Sequence, residues 1–565
     1  MDVLPDTLER LADRVEALER RVLALEDSRT LEHAPSAVMR GPAEPVAVSE
    51  GFSLAQAGGA FSVLGKSMLG IAGAYLLRAV AESSSLPRLA IAAVAIVYAL
   101  LWLVAAARVR EEEWFSSTVY AGTSALILAP MLWELTLRFK VLPAPATAAI
   151  LSIFVIAATA LAWKKNQTPV FWVANVTATV AALALAVTTH ELIPFIAALL
   201  LMALVSEHAA IRNHQRSVRS VAALAADAGV WALIFIYASP QSARTDYPAL
   251  SAAGLILPGC LLFLIYGVSV VFRTTQLGQK ISIFETGQAM VAFVLAASSV
   301  LYFEPASGAI VLGVGCLLFS AACYAAAFIL LRDKADGRNF RVFATWAASL
   351  FLAGSLLCLP PFWMAACLGL AAIAAAMLST RIGGLTLRFH SLAFLVAATI
   401  ASGLLEYALS ALAGTPPTTI GAGVFVISAC AVVCFALNMR GTQENWKQQF
   451  FRLATAALAV FALAALLVEG LLHLVFPNTA PDAPRIAFIR TLILCAVAFA
   501  LAFSGSRWRR AELTRIAYAT LALVAVKLLV EDLRHGQLEF IAASIFLFAL
   551  TLIAVPWLAR MGQKA

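Results

Sequence analysis

Residues 89–107 read LAIAAVAIVYALLWLVAAA, nineteen in a row without a charge. As a helix rising about 1.5 Å per residue, this run is about 28 Å long, close to the thickness of a bilayer's hydrocarbon core. Backbone groups in lipid must be satisfied within the segment or in a closed barrel. Barrel strands would show alternating segments of about 10 residues, and the sequence has none. Comparable apolar segments follow one another from 59–81 to 537–559, joined by short connections. The chain therefore predicts an all-α polytopic membrane protein of about 18 transmembrane helices, arranged as repeated hairpins over 59–565.

Composition agrees. Of 565 residues, 62% are hydrophobic and 13% charged, against about 25% charged in soluble domains. The start of the chain is charged and amphipathic, without the apolar core of a signal peptide. All eight cysteines fall inside apolar segments and none forms a CxxC, so they read as small packing residues.

The net charge of +8 has a cause other than nucleic acid. If the N-terminus is cytoplasmic, the even-numbered connections are cytoplasmic too. They carry twenty-two arginines and lysines, and the opposite connections carry six: Arg88, Arg138, Lys140, Arg244, Arg485 and Arg534. This is the positive-inside pattern. It predicts both termini on the cytoplasmic side and makes the bilayer, not nucleic acid, the partner.

Residues 1–27 carry a heptad. Leu8, Val15 and Val22 occupy a; Leu11, Leu18 and Leu25 occupy d. Val at a with Leu at d favours a parallel two-stranded coiled coil, hence a possible homodimer. Docking of the same face on the protein's own cytoplasmic side is the alternative. Residues 28–58, with Pro35, Pro42 and Pro45, read as a flexible linker.

Two cofactor signals fail. AFSVLGKS (60–67) loosely fits a phosphate loop, but it opens a membrane helix instead of joining a strand to a helix. His190, His208, His390 and His473 lie in separate segments without ligand spacing. No cofactor and no metal are expected.

Charges inside the apolar segments cost about 2.5–3.5 kcal/mol each on insertion scales and point to function by default. Outside tail, loops and C-terminus, the basic residues are Lys66, Arg78, Arg490 and Lys527. With the topology above, Arg78, Arg490 and Lys527 lie in the outer half of the membrane. So do Glu134, Glu406, Glu469 and His473, with Glu531 and Asp532 nearer the edge. Arg78–Glu82, Lys527–Glu531 and Glu469–His473 are spaced i, i+4 and so share a helix face. RAVAESSSLPRLAIAAVAI (78–96) aligns without gaps on KLLVEDLRHGQLEFIAASI (527–545), which reads as a repeated hairpin. Two interpretations stay open: a polar cavity facing outward, or snorkelling side chains and structural ion pairs. Mid-span Asp227 is expected to hydrogen-bond a neighbouring helix. Glu285, near a cytoplasmic end, stands apart.

A tail heptad, a linker and a long ladder of apolar helices closing on VAVKLLVEDLRHG (524–536) resemble a bacterial membrane family known as domain of unknown function 2339. Lys527, Asp532 and Leu533 match that family's closing hairpin. Arg78 and Glu82 take the places of a Lys and an Asp in its first. The resemblance implies a bacterial inner-membrane location and supplies no reaction. Three functions compete. One is transport or binding of a polar, anionic or lipid-like envelope molecule, its ligand unknown. Another is an oligomerising envelope scaffold. The third is a transferase acting on a lipid-linked substrate, which the tiny external loops disfavour.

Overall fold

The computed structural model describes residues 54–564, apart from 84–86, 111–112, 166–167, 213–218, 241, 243, 332–336, 383–384, 416–418, 440–445, 478–480 and 536. The heptad residues Leu8 to Leu25 and the linker up to residue 53 lie outside the described residues. The chain divides into residues 1–65, of which 54–65 begin the first helix, and residues 66–565, which hold the rest.

The helices run in chain order. They are α1 (Leu54–Ser83), α2 (Arg88–Arg108), α3 (Trp114–Trp133), α4 (Ala144–Lys165), α5 (Thr168–Thr189), α6 (Leu192–Ile211), α7 (Arg219–Ala238), α8 (Ala252–Thr275) and α9 (Ile283–Phe303). There follow α10 (Ser307–Ala325), α11 (Arg338–Cys358), α12 (Pro361–Ile382), α13 (Leu385–Ala401), α14 (Leu404–Ala413), α15 (Ala422–Asn438), α16 (Trp446–Val475), α17 (Ala483–Arg507), α18 (Ala511–Lys527) and α19 (Leu538–Lys564). Among the described residues sixteen are long and apolar enough to cross a membrane. α13 and α14 form one further, broken segment, and α15 is a 17-residue apolar helix. The protein is thus a multi-pass, all-helical membrane protein.

One expected element is corrected. The apolar run over 389–413, which reads in the sequence as one continuous transmembrane helix, breaks at Ser402–Gly403 and bends by 69°. Gly403 takes a left-handed conformation, φ +72°, which glycine adopts without a Cβ clash.

Packing follows membrane rules. No water drives helices together in lipid, so close van der Waals contact must, and small residues permit it. Ala99, Ala158, Ala182, Ala226, Ala372 and Ala465 are fully buried, while Leu101, Leu126, Val180 and Phe235 are exposed. At the α8–α9 contact, a Cβ on Gly259 would lie 3.1 Å from the Ala296 backbone. One apolar core runs from Ala99 to Leu295 and a second from Ala348 to Leu528. A small cluster that includes Val270, Ile281, Leu331 and Phe343 draws on α8, the α8–α9 connection, the turn after α10 and α11.

Three helices end in π turns: Glu134–Arg138 after α3, Ala326–Leu331 after α10 and Leu528–Asp532 after α18. The first carries Glu134 and the last Glu531 and Asp532.

Candidate functional site

Lys527 closes α18, and the π turn that follows bonds the Leu533 N–H to the Leu528 carbonyl. That i→i+5 bond explains a spacing. In an α-helix, residues five apart diverge by about 140°; one π turn brings them to the same side. Lys527 therefore reaches Asp532 at 2.5 Å, whereas Glu531, the i, i+4 partner expected from sequence, is 3.5 Å away. The other two ammonium protons go to Thr491 Oγ1 (2.7 Å) and the Ala487 carbonyl (2.6 Å) on α17. All three donors of the buried ammonium are used. Thr491 in turn donates to Asp532 at 2.8 Å.

Arg490, one turn along the same face of α17, is 2% exposed. Its Nε donates to the Ala411 carbonyl at 2.7 Å, and Nη2 donates to Ser410 (3.0 Å) and Gly414 carbonyls. These carbonyls lie at the C-terminus of α14, that of Ser410 also accepting the Gly414 N–H, and a cation there complements the helix dipole. Nη1 pairs with Glu531 at 2.7 Å. Two cations and two carboxylates thus form a formally neutral, mutually paired group, buried except for Glu531, whose side chain is 23% exposed.

Glu469 lies beside it on α16, 3% exposed. Its Oε1 stands 3.2 Å from His473 Nε2, and His473 is 60% exposed. Among the described residues its Oε2, which is buried, has no hydrogen-bond partner, and neither has the Tyr407 hydroxyl on α14. Glu406, in the first turn of α14, is exposed and does not join them.

Arg78 and Glu134 sit on the first core's helices. They pair at 2.8 Å, Arg78 remaining 40% and Glu134 21% exposed. The expected i, i+4 partner, Glu82, has a side chain outside the described residues. The pair lines a cavity of about 250 Å³ walled by Ala74, Ile91, Ala95, Ile127 and Met131, with the exposed Tyr75 and Leu126 at its rim. Pro130, inside α3, has no N–H to give the Leu126 carbonyl. The Phe139 N–H bonds Glu134 O across the π turn. These intramembrane charges thus resolve into a closed group on the second core and an open pair on the first.

A further network was missed. At the end bearing the basic loops, Arg219 bonds Glu207 and, at 2.7 Å, Glu285; Arg273 also bonds Glu285. Ser269 donates to Glu207 at 2.5 Å, and Glu285 completes a capping box with Ser282. Deeper in, Gln288 donates to both oxygens of Asp227 at 2.8 and 2.9 Å. Arg219 and Arg273, which the sequence pattern assigns to the basic connections, are helix residues. Both are 7% exposed; Arg388 (7%) and Arg452 (3%) are likewise buried. The legible signal was an acid in the last turn of one apolar run, Glu207, facing a basic residue in the first turn of the next, Arg219.

Among the described residues no three His, Cys, Asp or Glu side chains cluster as metal ligands. No family model, no curated protein and no solved structure matches this chain.

Proposed function

We propose that this is a bacterial inner-membrane protein, both termini cytoplasmic, that binds or transports an amphiphilic envelope molecule with an anionic head. The observation that carries this reading is the half-exposed Arg78–Glu134 pair at an apolar cavity of about 250 Å³. Ligand pockets are mostly apolar with a few placed polar groups and occupy about 300–1,000 Å³. This cavity is slightly smaller, a fit for one hydrocarbon segment and not a whole two-chain lipid. Its rim residues Tyr75 and Leu126 are exposed, so an apolar tail enters from the bilayer. The guanidinium presents a planar fork to a phosphate or carboxylate, which competes with Glu134. Membership in the family of unknown function named above is part of the same proposal.

The test is mass spectrometry of lipids retained by the purified full chain. Arg78→Gln removes the counter-charge and Ala95→Phe fills the cavity; both should lose an anionic amphiphile that wild type retains. Equal retention by all three proteins would overturn the reading.

The scaffold reading keeps one observation in its favour. Arg490, Lys527, Glu531 and Asp532 are closed on one another, as structural ion pairs between helices would be. In that reading the heptad over 8–25 supplies the contact between two copies.

A further inference from the structure

Two buried polar atoms, one on α14 and one on α16, take no part in the cavity at Arg78. They are Glu469 Oε2 and the Tyr407 hydroxyl, on side chains 3% and 6% exposed, neither with a hydrogen-bond partner. α14 packs on α16, and Tyr407 lies within electrostatic reach of Glu469. A buried carboxylate oxygen without a donor is costly as an anion. The neighbouring acids are not in this position: Glu531 and Asp532 each have a cation.

Glu469 also has a route to the surface. It lies six residues before the end of α16, about 9 Å deep in the helix. His473, one turn nearer that end, contacts Oε1 and is mostly exposed. An imidazole can accept a proton at one nitrogen and release one at the other. We propose that Glu469 is a proton-binding site near the end of the bundle opposite the basic loops, with His473 as its connection to water. The charged or titratable groups facing it are His473 on its own helix, Arg490 on α17 and Tyr407 on α14. Arg490 holds the last carbonyls of α14. A proton on Glu469 therefore changes the charge balance at the residue that fastens the half-helix. The proposal is independent of the cavity at Arg78.

Dicyclohexylcarbodiimide tests it on the full chain in detergent. This apolar reagent adds to protonated carboxyls: the carboxyl oxygen bonds the central carbon and the proton passes to a nitrogen, with nothing lost. Peptide mass spectrometry should place the adduct on Glu469. Its yield should fall about tenfold per pH unit above the midpoint, as for one titrating proton. Glu469→Gln should lose it, and His473→Ala should move the midpoint. Should Glu469→Gln fail to fold, the wild-type pH profile still decides. No adduct at Glu469, or a yield independent of pH, would overturn the proposal; a midpoint unmoved by His473→Ala would overturn the role of the histidine.

Discussion

At Lys527 the chain puts an ammonium into an apolar helix and then satisfies each of its protons. Removing the charge therefore does not relieve the membrane; it strands Asp532 beside Thr491. Lys527→Met should destabilise the protein by about 3–5 kcal/mol, the range for breaking one side of a buried pair. Removing the partner as well, in Lys527→Met with Asp532→Leu, should recover most of the loss, because no buried charge is left unpaired. Unfolding in detergent measures both. A Lys527→Met protein as stable as wild type would mean that the ammonium snorkels to water. The contrast is Arg78, 40% exposed: Arg78→Gln should change stability by no more than about 1 kcal/mol, whatever it does to ligand retention. That these residues carry intramembrane charge was legible, since each interrupts an apolar run. Which partner each takes was not. Arg490 is tied to Ala411, and Lys527 to Ala487, and contacts between separate helices leave no mark on spacing.

The π turns and the broken helix belong to a scale that hydropathy smooths away. A window of about 19 residues sees 389–413 as one span, though the Ser402–Gly403 pair is the kind of site where helices kink. The two-residue connection has a measurable consequence. A Cβ on Gly403 would meet nothing within 4 Å, so Gly403→Ala is opposed by its φ of +72° alone. That should cost about 1–2 kcal/mol, read as a lowered unfolding midpoint. The π turn at Leu528–Asp532 makes a sharper prediction. A π turn is an α-helix with one residue inserted, so deleting the exposed Leu529 should return the segment to α. Lys527 and the former Asp532 would then stand four apart, still on one face. Deleting Leu523, exposed but inside regular α18, would instead rotate Lys527 by about 100° relative to the preceding turns. The Leu529 deletion should yield folded, monodisperse protein and the Leu523 deletion should not. Equal damage from both would show that the π turn, not the phase of its flanks, is what the fold requires.

Over the whole molecule, the ladder of helices was legible because lipid leaves the backbone one solution, and the loops carry the orientation. The four buried arginines weaken that count without reversing it. With Arg219, Arg273, Arg388 and Arg452 set aside as helix residues, eighteen basic residues still face six. The buried four also sit at the same end as the loops they were counted with, so their burial does not change which end is basic. On the positive-inside rule the N-terminus, the C-terminus and the Glu207–Arg219–Arg273–Glu285 network are expected on the cytoplasmic side, and the Lys527 group and Glu469 on the other. Single cysteines in a background lacking the eight native ones test this directly. A membrane-impermeant maleimide applied to intact cells should label substitutions at Pro305, Pro416 or Thr479 and leave Gly337 and Gln443 unlabelled until the membrane is opened. Because every crossing inverts the next loop, one miscounted helix would flip the pattern only beyond the error. Labelling at Pro305 but not Thr479 would place the fault between them, where the bent α13–α14 segment and the 17-residue α15 lie. Labelling at Gly337 and Gln443 with none at the other three would reverse the orientation and carry Glu469 and the Lys527 group to the cytoplasmic face.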